Sequence, residues 1–231
     1  MGLTVKKFVT ALAGALLIGM GGLTAPTAAA QGQVINIPLP HGSSVRDFVA
    51  VTGIGKNTVN QGATIYGEDG PGRVMRCTLG YISPGNTYGY AAAHCFTQRE
   101  GSVVYDSRFR PIGRVSNIYT GGGRDFARIA FNDNVFGRNV MTGDKTLSWR
   151  NARVGDPICF YGQSSGAPKC SRVSNVAPYK VTASSHSAVR GDSGGPAWIP
   201  GKGWIGVVSA AQIMYVGNAP VRHETLIETV R

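Results

Sequence analysis

The sequence predicts an all-β protein of many short antiparallel strands finished by one C-terminal helix. Two observations carry the strands. Of 231 residues, 33 are glycine and 12 proline, about twice the usual glycine share. The apolar residues fall in short runs between these turn formers, a pattern of brief strands rather than long amphipathic helices. The helix rests on Pro220 to Val230, where Leu226, Ile227 and Val230 fall on one side at helical spacing behind a proline, which is favoured at a first helical position.

In chain order, the first segment is a leader. Lys6 and Lys7, the apolar run Phe8 to Met20 and then Ala28-Ala29-Ala30 have the charged, hydrophobic and small-residue regions of a signal peptide. The run is shorter than the roughly 20 apolar residues of a membrane span, so residues 1–30 are expected to direct secretion, with Gln31 first after cleavage. No later run approaches that length, and no membrane span is expected once the leader is gone. Candidate strands follow at Tyr88 to His94, Ile112 to Tyr119, Asp125 to Phe131, Tyr179 to Ala183 and Trp204 to Ser209. In Arg124 to Phe131 (RDFARIAF) an aspartate opens an alternating run, as in a strand with one buried face.

The chain is basic, with 23 Lys and Arg against 12 Asp and Glu and a net charge of +11. These charges are distributed, and aromatic residues do not interleave with them as they would in a single-strand nucleic-acid groove. A nucleic-acid partner is therefore not expected, whereas contact with an anionic cell envelope is compatible with the charge. Neither a nucleotide loop nor a metal-spaced cysteine and histidine cluster occurs, so no cofactor or metal is expected. Four cysteines in an exported chain suggest two disulfides, with three pairings open.

Two strings carry chemistry: Ala91 to Cys95 (AAAHC) and Gly191 to Pro196 (GDSGGP). A serine hydroxyl is a weak nucleophile that needs a base for its proton and donors for the developing oxyanion. His94 can be the base, Ser193 the nucleophile, and the backbone N–H groups of Gly191 and Ser193 the oxyanion donors. Taken singly, the glycine-rich string could be an ordinary turn and the histidine a packed core residue. The order His, Asp, Ser along the chain ties them together. A Gly-x-Ser-x-Gly elbow would instead need an acid and then a histidine after the serine. After Ser193 only His223 is available, and Glu224 and Glu228 both follow it. Asp125 is the candidate third member; Asp106, Asp133 and Asp144 lie among loop signals and are expected to face solvent.

On these residues the chain resembles the chymotrypsin-like serine proteases, most closely their secreted bacterial streptogrisin and α-lytic branch. The resemblance runs from about Gly62 to the C-terminus. It includes Gly72 to Ile82 (GRVMRCTLGYI), Ala93-His94-Cys95, Asp125 to Ile129, the Cys159 to Cys170 loop and Gly191 to Pro196. It implies two six-stranded antiparallel β-barrels, about residues 62–140 and 150–231, preceded by an extension or short pro-segment at residues 31–61. It also implies His94 and Asp125 from the first barrel, Ser193 from the second, and the disulfides Cys77 with Cys95 and Cys159 with Cys170.

The activity so implied is a secreted serine endopeptidase that cleaves peptide or protein substrates through an acyl-enzyme. An inactive homologue acting as a basic secreted binding protein is the alternative. The resemblance places Ser187 at the floor of the specificity pocket, Ser209, Ala210 and Ala211 along its wall, and Arg190 at its mouth. Ser187 in place of an aspartate speaks against cleavage after lysine or arginine. Ala211 narrows the slot, so small or medium apolar residues are expected before the scissile bond, although Arg190 could attract an acidic one. Three departures stand out: no third cysteine precedes Gly191, Phe160 follows Cys159 where the branch often has an arginine to pair with Asp192, and the pro-region is short. Arg190 and Arg153 are the candidate partners left for Asp192.

Overall fold

The structure, a computed structural model, describes residues 33–36, 57–70, 73–97, 99–216 and 218–230. The leader at residues 1–30, and much of the extension at residues 31–61, lie outside them. Sixteen strands and four short 3-10 helices form, with no α-helix among the described residues. The first half holds β1 (Gln33–Asn36), β2 (Asn57–Thr58), β3 (Thr64–Glu68), β4 (Arg73–Thr78), β5 (Tyr81–Ile82), β6 (Tyr88–Ala91), β7 (Val103–Asp106), β8 (Pro111–Tyr119), β9 (Phe126–Phe131) and β10 (Val135–Phe136). The second holds β11 (Pro157–Phe160), β12 (Lys169–Ala177), β13 (Lys180–Ser184), β14 (Pro196–Ile199), β15 (Gly203–Val216) and β16 (Ala219–Thr229). Five of these cover the candidate strands, although β6 stops short of His94 and β15 runs well past Ser209.

Strands β11 to β16 close into a six-stranded barrel in the order β11-β12-β13-β16-β15-β14. The first half differs from the expected closed barrel. It is an eight-stranded sheet in the order β1-β4-β3-β7-β8-β9-β6-β5. Covalent continuity explains why it still curls: β4 leads through Leu79 and Gly80 into β5 at the far end of the order. Between them the regular ladder breaks, because Thr78 N–H donates to the Ser193 carbonyl at 2.8 Å. That backbone group is thus used to join the halves.

The expected helix over Pro220 to Val230 does not form; Ala219–Thr229 is strand β16. Tertiary pairing overrides the helical spacing. β16 pairs with β15 along one edge, and from Glu224 to Glu228 with β13 along the other. The β-branched Thr225, Ile227 and Thr229 are fully buried there, and such residues suit a pleated, packed surface.

Each half has its own core. Ile65, Leu79, Phe96 and Ile129 lead in the first, and Ile158, Phe160, Val181 and Ile227 in the second. A third cluster, Tyr81, Phe126, Trp204 and Val207, fills the seam between them, where the Tyr81 and Trp204 rings stack with centroids 4.4 Å apart. Burying such rings supplies apolar area and fixes relative position, so the seam sets the register of the two halves on either side of the site.

Candidate active site

His94 lies in the 3-10 turn Ala93–Phe96 directly after β6, and Asp125 immediately precedes β9. Because β6 and β9 are paired neighbours, the turn after one meets the start of the other. His94 N–H donates to Asp125 Oδ1 at 2.9 Å, and His94 Nδ1 lies 2.7 Å from Asp125 Oδ2. An ionised carboxylate only accepts, so Nδ1 carries the proton and Nε2 is the nitrogen that can act as base. The disulfide Cys77–Cys95 ties the His94 turn to β4, and Cys159–Cys170 joins β11 to β12.

Asp125 takes a third bond from the second half of the molecule: Ser209 Oγ donates to Oδ2 at 2.7 Å. Burial opposes ionisation of Asp125, but the hydrogen bonds and charge of His94, with the Ser209 hydroxyl, outweigh it and hold the carboxyl below its ordinary 3.8. The Ser209 hydroxyl, expected on the pocket wall, is therefore committed to Asp125. Asp106, expected to face solvent, is buried; it accepts from the backbone of Arg108 and Arg110 and pairs with the Arg110 guanidinium. Asp133 and Asp144 are exposed.

Ser193 sits in the loop between β13 and β14, where the backbone donors divide into two groups. Those of Ala188, Val189, Asp192, Gly194 and Gly195 are taken up by Thr225, Asp192, Val189, Val208 and Asp192 respectively. The N–H groups of Gly191 and Ser193 have no such partner among the described residues. Gly191 has φ +93°, a left-handed conformation that favours glycine. Ser193 is fully buried, and its Oγ makes no hydrogen bond. It thus makes no bond to His94 here; bonds between a nucleophile and its base are often long until substrate is bound.

Neither arginine partners Asp192. The carboxylate is fully buried and accepts from Val189 N–H at 3.0 Å, Ser164 N–H at 3.1 Å, Ser165 N–H at 2.8 Å and the Ser165 hydroxyl. The close approach depends on Gly162, where a Cβ would fall 2.2 Å from Asp192 Oδ1. Arg153 instead bonds the carbonyls of Arg150 and Ala152, and Arg190 is exposed.

Of the residues expected at the pocket, Ser187 Oγ lies 3.0 Å from His223 Nδ1, and the Ser187 carbonyl accepts from Lys169 Nζ at 3.1 Å. Ala210 is buried and Ala211 half-buried. His223 was not singled out by the sequence; strand pairing, opposite Ile213, brings it beside Ser187.

Arg124, next to Asp125, reaches the second barrel. Its Nε donates to the Glu228 carboxylate and its Nη2 to the Thr229 carbonyl at 2.9 Å. The guanidinium carbon also stands 4.1 Å from the centre of the Tyr179 ring. Glu228 is 1% exposed, with Oε2 unpartnered; burial pushes its carboxyl above the ordinary 4.5, against the pull of Arg124. Arg124→Met should lower unfolding free energy by about 3 kcal/mol, because it strands a buried charge. The sign with pH follows: the loss is full where Glu228 is ionised and shrinks as falling pH protonates it. Urea melts at neutral and mildly acidic pH check this; an equal loss at both would exclude the ion pair as its cause.

No family model matches the chain. An uncharacterized Mycobacterium tuberculosis protein, Rv1815, is 30% identical over 159 residues, covering 62% of this chain and 67% of the relative. Among solved structures, Thermobifida fusca protease A aligns at 18% identity over 74% of this chain and 91% of its own, with a TM-score of 0.53. Cellulomonas bogoriensis chymotrypsin aligns at 22% over 75% and 92%, with a TM-score of 0.54. A glutamic-acid-specific serine protease that uses a histidine triad in substrate binding aligns at 21% over 74% and 93%, also with a TM-score of 0.54. At these identities the likeness is one of fold.

Proposed function

We propose that this chain, which belongs to one family with Rv1815 and has the chymotrypsin-like fold, is a secreted serine endopeptidase. The observation that carries the reading is the linked set His94, Asp125 and Ser209 beside a serine loop whose Gly191 and Ser193 N–H groups have no backbone partner. In this reading Ser193 attacks the scissile carbonyl while His94 Nε2 takes its proton. Asp125 keeps the ring in the Nδ1–H tautomer and stabilises the imidazolium, and the two N–H groups receive the oxyanion. His94 then protonates the leaving amine, and water repeats the cycle to free the acid. Residues 1–30 would direct export and residues 31–61 would precede the protease domain. The two disulfides fit an oxidising compartment. The test is labelling by a fluorophosphonate, which modifies only an activated serine: labelling of the native protein but not of Ser193→Ala supports the assignment, and an unlabelled native protein refutes it.

The pocket suggests which bond is cut. The Ser187–His223 pair, bonded to each other, keeps one outward N–H or O–H to donate to a carboxylate, Lys169 stands behind Ser187, and Arg190 is expected at the mouth. These groups outweigh the narrowing by Ala211, so glutamate before the scissile bond is favoured over apolar residues, and lysine and arginine are disfavoured. A fold neighbour is itself glutamic-acid-specific and binds substrate through histidines. In a peptide library, His223→Ala should reduce cleavage after glutamate about tenfold or more, as expected when a buried charged group loses a hydrogen-bond partner. Dominant cleavage after lysine or arginine would overturn the pocket assignment.

A further inference from the structure

The barrel strand nearest the serine loop continues well beyond the barrel. At Val208, β15 is paired through its backbone with the nucleophile loop: Gly194 N–H donates to the Val208 carbonyl at 2.7 Å, and Val208 N–H to the Gly195 carbonyl at 2.8 Å. Its pairing with β14 ends at Val207. Ser209 stands at a bulge, and from Ala210 to Val216 β15 pairs with β16 alone, so from Ser209 onward its other edge has no strand partner among the described residues. That edge spans eight residues, about 26 Å, and begins at the hydroxyl that holds Asp125.

An open edge invites pairing with other chains, and proteins usually blunt it with charge, proline or a cover. Here the edge sequence Ser209 to Val216 (SAAQIMYV) holds no charged residue and no proline, in a chain of net charge +11. At its far end Met214 is 37%, Tyr215 47% and Val216 70% exposed. A charged strand does lie across the ribbon, with Arg222 opposite Met214 and Glu224 opposite Gln212, but it occupies the other edge. The unprotected edge therefore leads away from the nucleophile.

We propose that Gln212 to Val216 form an extension of the substrate cleft, binding the polypeptide N-terminal to the scissile bond as an added antiparallel strand as far as the seventh or eighth residue. The proposal rests on the protease reading above. Alternate residues of β15 turn their N–H and C=O groups to this edge, so recognition comes mainly from the substrate backbone, and the exposed Met214, Tyr215 and Val216 favour apolar residues far from the cleaved bond. The substrate class is thus a long, extended, apolar segment rather than a short peptide.

The test separates binding from catalysis. Fluorescein-labelled peptides with four or eight residues of alternating threonine and valine before a Glu-Ala bond are titrated into Ser193→Ala and followed by anisotropy. The longer peptide should bind about tenfold more tightly, and N-methylation of single amides at positions five to eight should remove most of that gain. Because Ile213 and His223 face each other in register, replacing Met214 to Arg222 by Asn-Gly joins them with a two-residue turn. This variant should bind both peptides with the affinity of the shorter. Equal binding of both lengths by Ser193→Ala overturns the proposal, as does a dimer that disperses on shortening the hairpin, which would assign the edge to a second copy. Length-dependent binding without cleavage by the native protein would support the edge as a polypeptide-binding strand while refuting the protease reading.

Discussion

Ser193→Ala should abolish peptide hydrolysis, lowering kcat by about a millionfold, and should leave a protein slightly more stable than the original. The two effects share one cause. Ser193 is fully buried and its Oγ makes no hydrogen bond, so the fold bears the cost of a desolvated hydroxyl that contributes no internal bond. Removing it should raise unfolding free energy by about 1 kcal/mol. The neighbouring backbone bond, Thr78 N–H to the Ser193 carbonyl, is untouched by the substitution. Kinetics on a peptide substrate and a urea melt of the same preparation check both parts. Near-normal hydrolysis by a well-folded variant would refute the mechanism, and a marked loss of stability would mean that the hydroxyl is structural.

Asp125→Asn should lower kcat by about ten thousandfold through the histidine tautomer. Asp125 Oδ1 accepts from His94 N–H, while Oδ2 receives both His94 Nδ1 and Ser209 Oγ. An asparagine keeping its carbonyl oxygen toward His94 N–H turns its NH2 to the imidazole. Nδ1 must then accept, the proton moves to Nε2, and the base is lost. Stability should change with pH in a set direction. Asp125 is held below its ordinary 3.8, so its ionised form stabilises the fold above that value, and this contribution is lost as pH falls through the folded value. The stability gap between the native protein and Asp125→Asn should therefore be widest at neutral pH and narrow in strong acid. A gap independent of pH would remove the carboxylate's charge from the account.

Much of this site was legible because short strings can encode sharp turns. AAAHC and GDSGGP stand at the positions where His94 and Ser193 occur, and the alternating run after Asp125 became β9. The partners of Asp192 were not legible: two of them are backbone N–H groups of Ser164 and Ser165, and every residue but proline has such a group. Nor was the role of the Ser209 hydroxyl, since only the junction of the two halves decides whether it faces a pocket or Asp125. Helical spacing misled at Pro220 to Val230 because Leu226, Ile227 and Val230 satisfy it by chance, while strands β13 and β15 leave that segment a slot between two edges. His223 came beside Ser187 through the same pairing, a contact no local pattern could announce.

Under the proposed activity, Thr78 makes the assembly of the site depend on both halves. Its N–H bonds the Ser193 carbonyl, its hydroxyl donates to the Gly191 carbonyl at 2.8 Å and receives Gln163 N–H at 3.0 Å, and its neighbour Cys77 is bonded to Cys95 beside His94. One residue of the first half thus sits between the histidine turn and the serine loop of the second. A nascent chain that has completed only one half has the parts of the site without their alignment. On the protease reading, hydrolytic competence should appear only once both halves have folded and met.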